Sequence, residues 1–370
     1  MPKKTLGLYI HIPFCKTICV YCNFLTFANK QQWIPKYIDA LKEEIIKKSS
    51  QFHDYIIETI YFGGGTPSLI EANQIDQVLL SIRENFQVRK SVEINIECNP
   101  ESLDLEKIKH YRKSGVSRIS LGVQSLNPKT LWKIARPHDD KAVLKALRAL
   151  TSSKWKNFGC DIIMGLPYQT VDEFKEHLET ILTYKPNHLS AYFLSYDTKR
   201  IDTFIKDSPG ENIQIEMYWH LQDRLKKAGF RHYEVSNYAK KGFESKHNLR
   251  YWHQKEYLGL GLGAHSYYDN KVTENTRKLD LYLGNPIELE DSYTLDRDTQ
   301  RMDYIMLRLR SSEGIDLKEF KKKFGQEETE TLIKKAKRLQ QPTQLFINSK
   351  KISLSNEGML FADQIYQRLI

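Results

Sequence analysis

The sequence predicts an α/β protein built on a parallel sheet. Three observations lead to this fold class. Short β-rich runs alternate with helical segments through the first half of the chain, and the helical segments are long enough to cross between neighbouring parallel strands. The composition, with 40% hydrophobic and 28% charged residues over 370 positions, is that of an ordinary globular chain large enough for about two domains.

Six runs are predicted to be strands, and helical patterns lie between them. The helix predicted over residues 34–48 places Ile34, Ile38, Leu41, Ile45 and Ile46 on one face, and a second helix is predicted over 172–183. The periodicity does not separate a partly closed barrel from a doubly wound sheet, but both fold types place functional residues at the carboxyl ends of the strands. The predicted strands are residues 6–12, 58–62, 92–97, 118–123, 158–164 and 188–194.

In the second half of the chain, strands and helices no longer alternate regularly. A helix over 213–227, a strand-like run over 231–238 and a glycine-rich run over 258–263 predict an extension, residues 206–294, packed on a core of residues 1–205. Residues 295–370 read as a small, mainly helical domain of the winged-helix type. Its helices are predicted over 302–309, 317–323 and 328–339, and a hairpin over 345–354 precedes a last helix.

Charge and cysteine content limit the functional classes. The net charge of +10 permits an anionic partner such as a nucleotide cofactor, a porphyrin carboxylate, nucleic acid or an acidic membrane surface. Five cysteines, three of them crowded between residues 15 and 22, indicate a reducing compartment and a metal or cluster site rather than disulfides. We find no signal peptide and no membrane span, so a cytoplasmic protein is expected, with peripheral membrane contact left open.

Cys15, Cys19 and Cys22 follow the first predicted strand on one short loop. Thiolates suit iron-sulfur clusters or zinc. Three thiolates can each hold one iron of a cubane and leave the fourth iron open to another ligand. A structural zinc ion needs a fourth protein ligand, for which His11 is the nearby candidate.

Polar residues recur at the ends of the other predicted strands. The loop Gly63-Gly64-Gly65-Thr66-Pro67 lets the backbone approach a ligand closely, although a tight turn is the simpler alternative. Each of the remaining residues has the alternative of a buried group satisfied by a hydrogen bond. They are Glu97, Gln124 and Asp161 on the strands, and Arg136 between them.

The spacing C-x3-C-x2-C, with Tyr21 directly before the last cysteine, closely resembles the radical SAM superfamily. Together with the segments LYIHIPFC, GGGTP, IECNP, SLGVQS, IARPH and GCDIIMGLP, it is similar to the oxygen-independent coproporphyrinogen III oxidase family. The resemblance implies a partial (β/α)6 barrel, and a [4Fe-4S] cluster on Cys15, Cys19 and Cys22 whose open iron binds S-adenosylmethionine. It also implies that this cofactor contacts Tyr9, Tyr21, Gly64, Gly65, Thr66, Glu97, Gln124, Arg136 and Asp161, with Glu97 at the ribose.

Two departures separate this chain from the decarboxylating oxidase. Phe24 stands where the oxidase has a further cysteine, and only fourteen residues precede Cys15. We therefore do not expect coproporphyrinogen III oxidase activity, and cleavage of S-adenosylmethionine is left open.

Residues 247–252, HNLRYW, resemble the HNxxYW motif of the heme-chaperone branch of the family. A neutral imidazole can ligate heme iron, and aromatic faces suit a flat macrocycle. The resemblance implies heme binding by His247, Tyr251 and Trp252, with His253 or Cys98 as alternative ligands. The simpler alternative is a satisfied histidine beside aromatic core residues.

The resulting hypothesis is a heme chaperone that passes heme to acceptor proteins. The second hypothesis is the anaerobic oxidase, which would convert porphyrinogen propionates to vinyl groups. The third is nucleic-acid binding through the basic C-terminal domain, but such runs are usually solvated helix faces and no nucleic acid is expected. The basic residues are Lys321, Lys322, Lys323, Lys334, Lys335, Lys337, Arg338, Lys350 and Lys351.

Overall fold

The computed structural model describes residues 3–195, 205–339 and 343–370. In the first half of the chain, strands alternate with helices as the sequence predicts. The strands are β1 (Lys4–Ile12), β2 (Phe14–Cys15), β3 (Phe27–Ala28), β4 (Tyr55–Gly64), β5 (Gln87–Cys98), β6 (Arg118–Gln124), β7 (Phe158–Met164) and β8 (His188–Phe193). The helices are α1 (Ile34–Ser49), α2 (Ala72–Asn85), α3 (Leu105–Ser114), α4 (Pro128–Lys133), α5 (Asp140–Ser152) and α6 (Val171–Thr183).

Six neighbouring strands of the sheet form the barrel. They lie in the order β1-β4-β5-β6-β7-β8, and every neighbouring pair is parallel. These are the six predicted strands, and with their crossover helices they form the partial (β/α)6 barrel. Because all six run in the same direction, their carboxyl ends meet at one end of the barrel.

The two faces of these strands differ in polarity. Along β1, Leu6, Leu8, Ile10 and Ile12 are fully buried in the main hydrophobic core. The residues between them lie on the opposite face, because side chains alternate along a strand. On β5 this second face carries Glu93, Asn95 and Glu97. The barrel interior is therefore lined by polar and aromatic groups, while the helix-facing side is apolar.

Helix α1 corrects one detail of the sequence analysis. Ile34, Ile38, Leu41 and Ile45 are buried as expected, but Ile46 is 55% exposed. Residues 45 and 46 are separated by about 100° around a helix, so only one of them belongs to the stripe that faces the sheet.

The second half of the chain extends the sheet at both edges. The run 231–238, predicted as one strand, is an antiparallel pair, and β11 pairs with β1 in parallel. The full sheet has twelve strands in the order β14-β13-β12-β11-β1-β4-β5-β6-β7-β8-β10-β9. The added elements are α7 (Glu211–Lys227), β9 (Arg231–Glu234), β10 (Asn237–Ala239), α8 (Lys246–Trp252), β11 (Tyr257–Leu260), β12 (His265–Tyr268), β13 (Lys271–Asn275), α9 (Leu279–Gly284) and β14 (Leu289–Thr294).

The last elements form a separate hydrophobic core, which includes Tyr304, Phe320 and Leu332. Helix, strand, two helices and two strands follow one another in the order expected of a winged helix, and β15 and β16 flank β17. These elements are α10 (Arg297–Leu309), β15 (Ile315–Asp316), α11 (Leu317–Phe324), α12 (Gln326–Leu339), β16 (Leu345–Ile347), β17 (Lys351–Leu354), α13 (Asn356–Leu360) and α14 (Ala362–Leu369).

Core residues of α7, α9 and β11, such as Leu221, Tyr282 and Leu260, belong to the same hydrophobic cluster as the barrel strands. The boundaries at 205/206 and 294/295 stay predictions. In the part of the chain that the structure describes, no helix combines the length and apolarity that a membrane crossing requires.

Candidate functional site

The carboxyl ends of the parallel strands open onto a cavity of about 430 Å³. Most of the predicted site residues lie in its wall, although they come from six separate segments of the sequence. The predicted residues among its lining are Cys15, Cys19, Tyr21, Cys22, Gly64, Gly65, Thr66, Glu97, Gln124, Arg136 and Asp161. The fold therefore brings the three cysteines and the polar strand ends together.

The cysteine loop is tied to two other parts of the molecule. The amide of Val20 donates to the carbonyl of Ile134 at 3.3 Å, and the Gln31 side chain donates to the carbonyl of Cys15 at 3.0 Å. All three cysteines are free thiols, and Cys15 and Cys19 are buried. The loop thus presents its sulfur atoms to the cavity rather than to solvent.

The thiols sit beside two hydrogen-bond donors. Thr66 donates from its hydroxyl to Cys15 Sγ at 3.5 Å, and Arg136 donates from Nη1 to Cys19 Sγ at 3.6 Å. Burial raises the pKa of Cys15 to about 11 and also raises the pKa of Cys22. Because burial disfavours the thiolate, the positive charge of a metal centre is needed to ionise these groups fully.

The donor set fits an iron-sulfur cubane. Among the described residues, no group of three or more His, Cys, Asp or Glu side chains is placed to hold a metal ion. Such a group requires side chains close enough to share one ion. In a cubane each thiolate binds a different iron atom, so the three sulfur atoms do not need to be that close to one another. His11, the candidate fourth zinc ligand, hydrogen-bonds the Tyr9 hydroxyl at 3.0 Å and the carbonyl of Leu25 at 2.9 Å.

The glycine loop packs directly on the cysteine segment. The amide of Gly65 donates to Ile12 O at 2.8 Å, and that of Thr66 donates to Phe14 O at 2.9 Å. A Cβ on Gly65 would lie 2.8 Å from Phe14 O, and one on Gly64 would lie 2.5 Å from the His11 ring. Glycine is therefore required for this packing as well as for contact with a ligand.

Two carboxyl groups line the cavity in different surroundings. Glu97 accepts a 2.6 Å hydrogen bond from the Tyr61 hydroxyl, and burial raises its pKa to about 7. Asp161 accepts from the Ser120 hydroxyl at 3.1 Å, and burial raises its pKa as well. Both groups can accept hydrogen bonds from a polar ligand when they are ionised.

Arg136 is the cation of the cavity wall. It donates from Nη2 to Asn99 Oδ1 at 2.8 Å and to Gly122 O at 3.0 Å. Asn99 in turn donates to the Thr66 hydroxyl at 3.1 Å, so it joins the cation to the glycine loop. The sequence analysis missed Asn99, although its position in the IECNP segment was a usable signal.

Gln124 has a positive φ of 63°, and a register shift interrupts the pairing of β6 with β7 beside it. A non-glycine residue in this region stores about 1–3 kcal/mol of strain, and such positions concentrate at functional sites. Gln124 itself lines the cavity, so the irregularity lies at the candidate site.

Four predicted cofactor residues lie outside the cavity wall. Tyr9 is bonded to His11 inside the barrel. His247 and Tyr251 lie on α8, toward the amino ends of the strands. Trp252 packs under the Arg310 guanidinium, 4.8 Å from its ring centroid. Of the alternative heme ligands, Cys98 lines the cavity and His253 does not.

Comparison with known proteins agrees with this geometry. The model of the radical SAM superfamily matches residues 9–181, and that of the HemN C-terminal domain matches residues 295–361. The chain superposes on coproporphyrinogen III oxidase (HemN) from Escherichia coli with a TM-score of 0.87, at 23% identity, over 100% of this chain and 91% of that one. This match shows a shared fold.

Two relatives are similar over nearly their full length. The heme chaperone HemW of Lactococcus lactis subsp. lactis (strain IL1403) is 33% identical over 100% of this chain and 98% of that protein. The heme chaperone HemW of Bacillus subtilis (strain 168) is 30% identical over 97% of each chain. The chain therefore belongs to the HemW family, and it carries a radical SAM domain.

Proposed function

We propose that the protein is a heme chaperone, which binds a [4Fe-4S] cluster and S-adenosylmethionine in its barrel and holds heme for delivery to acceptor proteins. The observation that carries the proposal is the single cavity in which three free thiols meet the polar strand ends. Membership of the HemW family supports the heme part.

The cluster would be held by the thiolates of Cys15, Cys19 and Cys22. Arg136, 3.6 Å from Cys19 Sγ, offsets their negative charge. When bound, the cluster and S-adenosylmethionine supply the means for one-electron cleavage of a carbon-sulfur bond. Glu97 would accept hydrogen bonds from the ribose hydroxyls of S-adenosylmethionine, and the peptide groups of Gly64 and Gly65 would bind its amino group.

Heme binding is proposed at residues 247–252. Both ring nitrogens of His247 are occupied within the protein, by the Thr59 hydroxyl at Nδ1 and the Tyr251 hydroxyl at Nε2, each at 2.8 Å. Ligation of iron by Nε2 therefore requires the bond to Tyr251 to break. Burial lowers the pKa of His247 to about 3, so the ring is neutral at physiological pH, as a heme ligand must be.

The oxidase alternative is disfavoured by Phe24. It lines the cavity and is 67% exposed, and it occupies the place where the oxidase has a cysteine. We expect reduced, reconstituted protein to bind heme and to form no vinyl product from coproporphyrinogen under anaerobic conditions. Vinyl product at catalytic yield would overturn the chaperone proposal.

Heme titrations of two variants test the heme site. We expect His247→Ala to weaken heme binding while the cluster absorbance is unchanged, and Cys98→Ala to bind heme like the parent. Equal heme affinity of His247→Ala and the parent would remove His247 from this role. Loss of binding in Cys98→Ala alone would move the heme to the cavity.

Location and further partners stay predictions. Five free cysteines suit a reducing compartment such as the cytoplasm. Peripheral membrane contact remains open, and no nucleic acid is expected. In the basic C-terminal domain, Lys323 lies over the Tyr304 ring, and Lys335 bonds to the carbonyl of Leu369, so part of the positive charge is engaged within the domain.

A further inference from the structure

Three aromatic rings form a continuous stack inside the barrel. Tyr61 lies between Tyr9 and His247, with ring centroids 6.2 Å and 5.1 Å away and interplanar angles of 28° and 29°. Tyr9 and Tyr61 face each other across paired strands β1 and β4, whereas His247 comes from α8. The stack therefore joins a helix at one end of the barrel to the strands that carry the cavity.

Tyr61 bonds through its hydroxyl to Glu97, which lines the cavity. It donates to Glu97 Oε1 at 2.6 Å, the one side-chain hydrogen bond that the structure records for this carboxyl group in the described residues. A hydrogen bond to an ionised group is stronger than one between neutral groups. Together with the backbone of Gly64, which also hydrogen-bonds to this carboxyl group, Tyr61 therefore determines where the Glu97 oxygens lie.

His247 is held in place on three sides. Its ring is bonded to Thr59 and Tyr251, and its amide, with that of Lys246, donates to Glu93 Oε1 at 3.3 Å and 2.9 Å. We call Thr59, Glu93, His247 and Tyr251 the barrel floor. A histidine fixed in this way cannot turn away from Tyr61 without losing buried hydrogen bonds, each of which is costly to leave unmade.

We propose that Tyr61 and His247 are positioning residues for the cofactor: the barrel floor holds His247 against the ring of Tyr61, and the Tyr61 hydroxyl fixes Glu97 at the cavity. The inference rests on the proposed function, because Glu97 is there assigned to the ribose of S-adenosylmethionine. It gives residues 247–252 a role at the cluster end of the barrel in addition to heme binding.

Tyr61→Phe is the direct test, since it removes one hydroxyl and keeps the ring. In full-length, anaerobically reconstituted protein, we expect the dissociation constant for S-adenosylmethionine at pH 7 to rise about ten-fold. When S-adenosylmethionine is added at a fixed concentration, we also expect the EPR spectrum of the reduced cluster to change less in Tyr61→Phe than in the parent protein. The matched control is Tyr304→Phe, another buried tyrosine, in the separate C-terminal core.

The pH dependence distinguishes positioning from general damage. Burial raises the pKa of Glu97 to about 7, and the Tyr61 hydrogen bond opposes that rise. Without the Tyr61 hydroxyl, the pKa of Glu97 should be higher, so the affinity for S-adenosylmethionine should rise only at a higher pH than in the parent. The loss of affinity in Tyr61→Phe should therefore become smaller at alkaline pH. A general structural defect would lower affinity equally at every pH. The titratable groups that act on Glu97 are Tyr9, Tyr61, Cys98, Asp161, Tyr192 and Tyr251.

His247→Asn, alone and combined with Tyr61→Phe, tests the lower half of the stack. We expect the single change to weaken cofactor binding and the double variant to bind no more weakly than Tyr61→Phe alone, because both changes act through Glu97. Unchanged cofactor affinity of Tyr61→Phe with an intact cluster would overturn the inference. Failure of the parent protein to bind S-adenosylmethionine would instead overturn the proposed function.

Discussion

Gly64 illustrates how the chemistry of the site constrains single residues. Its φ of +108° lies in the region that side chains rarely adopt, and a Cβ there would meet the His11 ring at 2.5 Å. His11 itself is fixed by Tyr9 and by the carbonyl of Leu25. The glycine loop, the histidine and the cysteine segment are therefore packed as one unit.

Gly64→Ala should lower the free energy of unfolding by at least about 1–3 kcal/mol, the cost of a strained backbone, and should reduce cluster occupancy. Gly284→Ala is the matched control, because nothing lies within 4 Å of the added Cβ and the residue is helical. That change is expected to stabilise by about 0.5–1 kcal/mol. Urea denaturation and iron determination measure both effects. Equal stability of the two variants would contradict this account of the loop.

At this scale, the sequence could indicate the residues of the cavity wall because they belong to short segments with recognisable spacing. Tyr61 and Thr59 were missed because nothing local marks them, whereas Asn99 stands in the recognisable IECNP segment and could have been found. The importance of Tyr61 and Thr59 comes from partners distant in the sequence, such as Thr59 and His247, which are 188 positions apart. Tyr9 and His247 belong to recognisable motifs, yet the structure places both away from the cavity wall.

Among the elements, α8 depends on a residue that the HNxxYW pattern leaves unspecified. Arg250 is 3% exposed, and its guanidinium bonds to Glu58 Oε2, to the carbonyl of Thr5 and to the carbonyl of Glu256, each at 2.8 Å. A Cβ on Gly7 would lie 2.8 Å from its Cδ. The arginine thus fastens α8 to β1 and β4.

Arg250→Ala is expected to destabilise the protein by at least about 1–3 kcal/mol, because it leaves the buried carbonyl groups of Thr5 and Glu256 without this donor and Glu58 with one cationic partner instead of two. Arg89, which pairs with the same Glu58 at 3.0 Å but is half exposed, provides the control. Arg89→Ala should cost less than about 1 kcal/mol. Chemical denaturation measures the free energy of unfolding of both variants. Similar decreases for Arg250→Ala and Arg89→Ala would show that the burial of Arg250 contributes nothing to stability.

The alternation of strands and helices in residues 1–194 could be predicted, because strand and helix periodicities differ. In residues 246–294 the elements α8, β12, β13, α9 and β14 were not predicted. Sequence patterns were less informative where contacts with neighbouring elements determine whether a residue is buried or where a strand ends. Ile46 looked like part of an apolar face, and the run 231–238 looked like one strand. The sheet partner β11 was not predicted because a four-residue strand, Tyr257–Leu260, has too short a pattern.

The molecule as a whole buries several neutral histidines. Burial lowers the pKa of His11 and His232 to about 4 and that of His247 to about 3. Unfolding exposes these rings, which then bind protons below their ordinary pKa of 6.5. Each therefore destabilises the folded state as the pH falls from 6.5 toward 4, whereas Glu97 and Glu234, with pKa values raised to about 7, act in the opposite direction.

His232 lies outside the cofactor site, stacked on Tyr238 at 4.3 Å, and is suited to a difference measurement. Between pH 6.5 and pH 5 its titration should cost the parent about 2 kcal/mol of unfolding free energy. Between the same two pH values, we expect the unfolding free energy of His232→Gln to fall by about 2 kcal/mol less than that of the parent, whatever the absolute stability of the variant. Parallel stability-pH curves for the two proteins would rule this contribution out.

The ring stack of Tyr9, Tyr61 and His247 has a consequence for the two ligands of the chaperone. If His247 ligates heme as proposed, its Nε2 would give up the bond to Tyr251, and the support that His247 gives to Tyr61 and, through it, to Glu97 would change. Heme and S-adenosylmethionine would then be allosteric effectors of each other, and thermodynamics would require each to alter the affinity for the other by the same factor. A loaded carrier and an empty one would differ in how firmly they retain the sulfonium ligand.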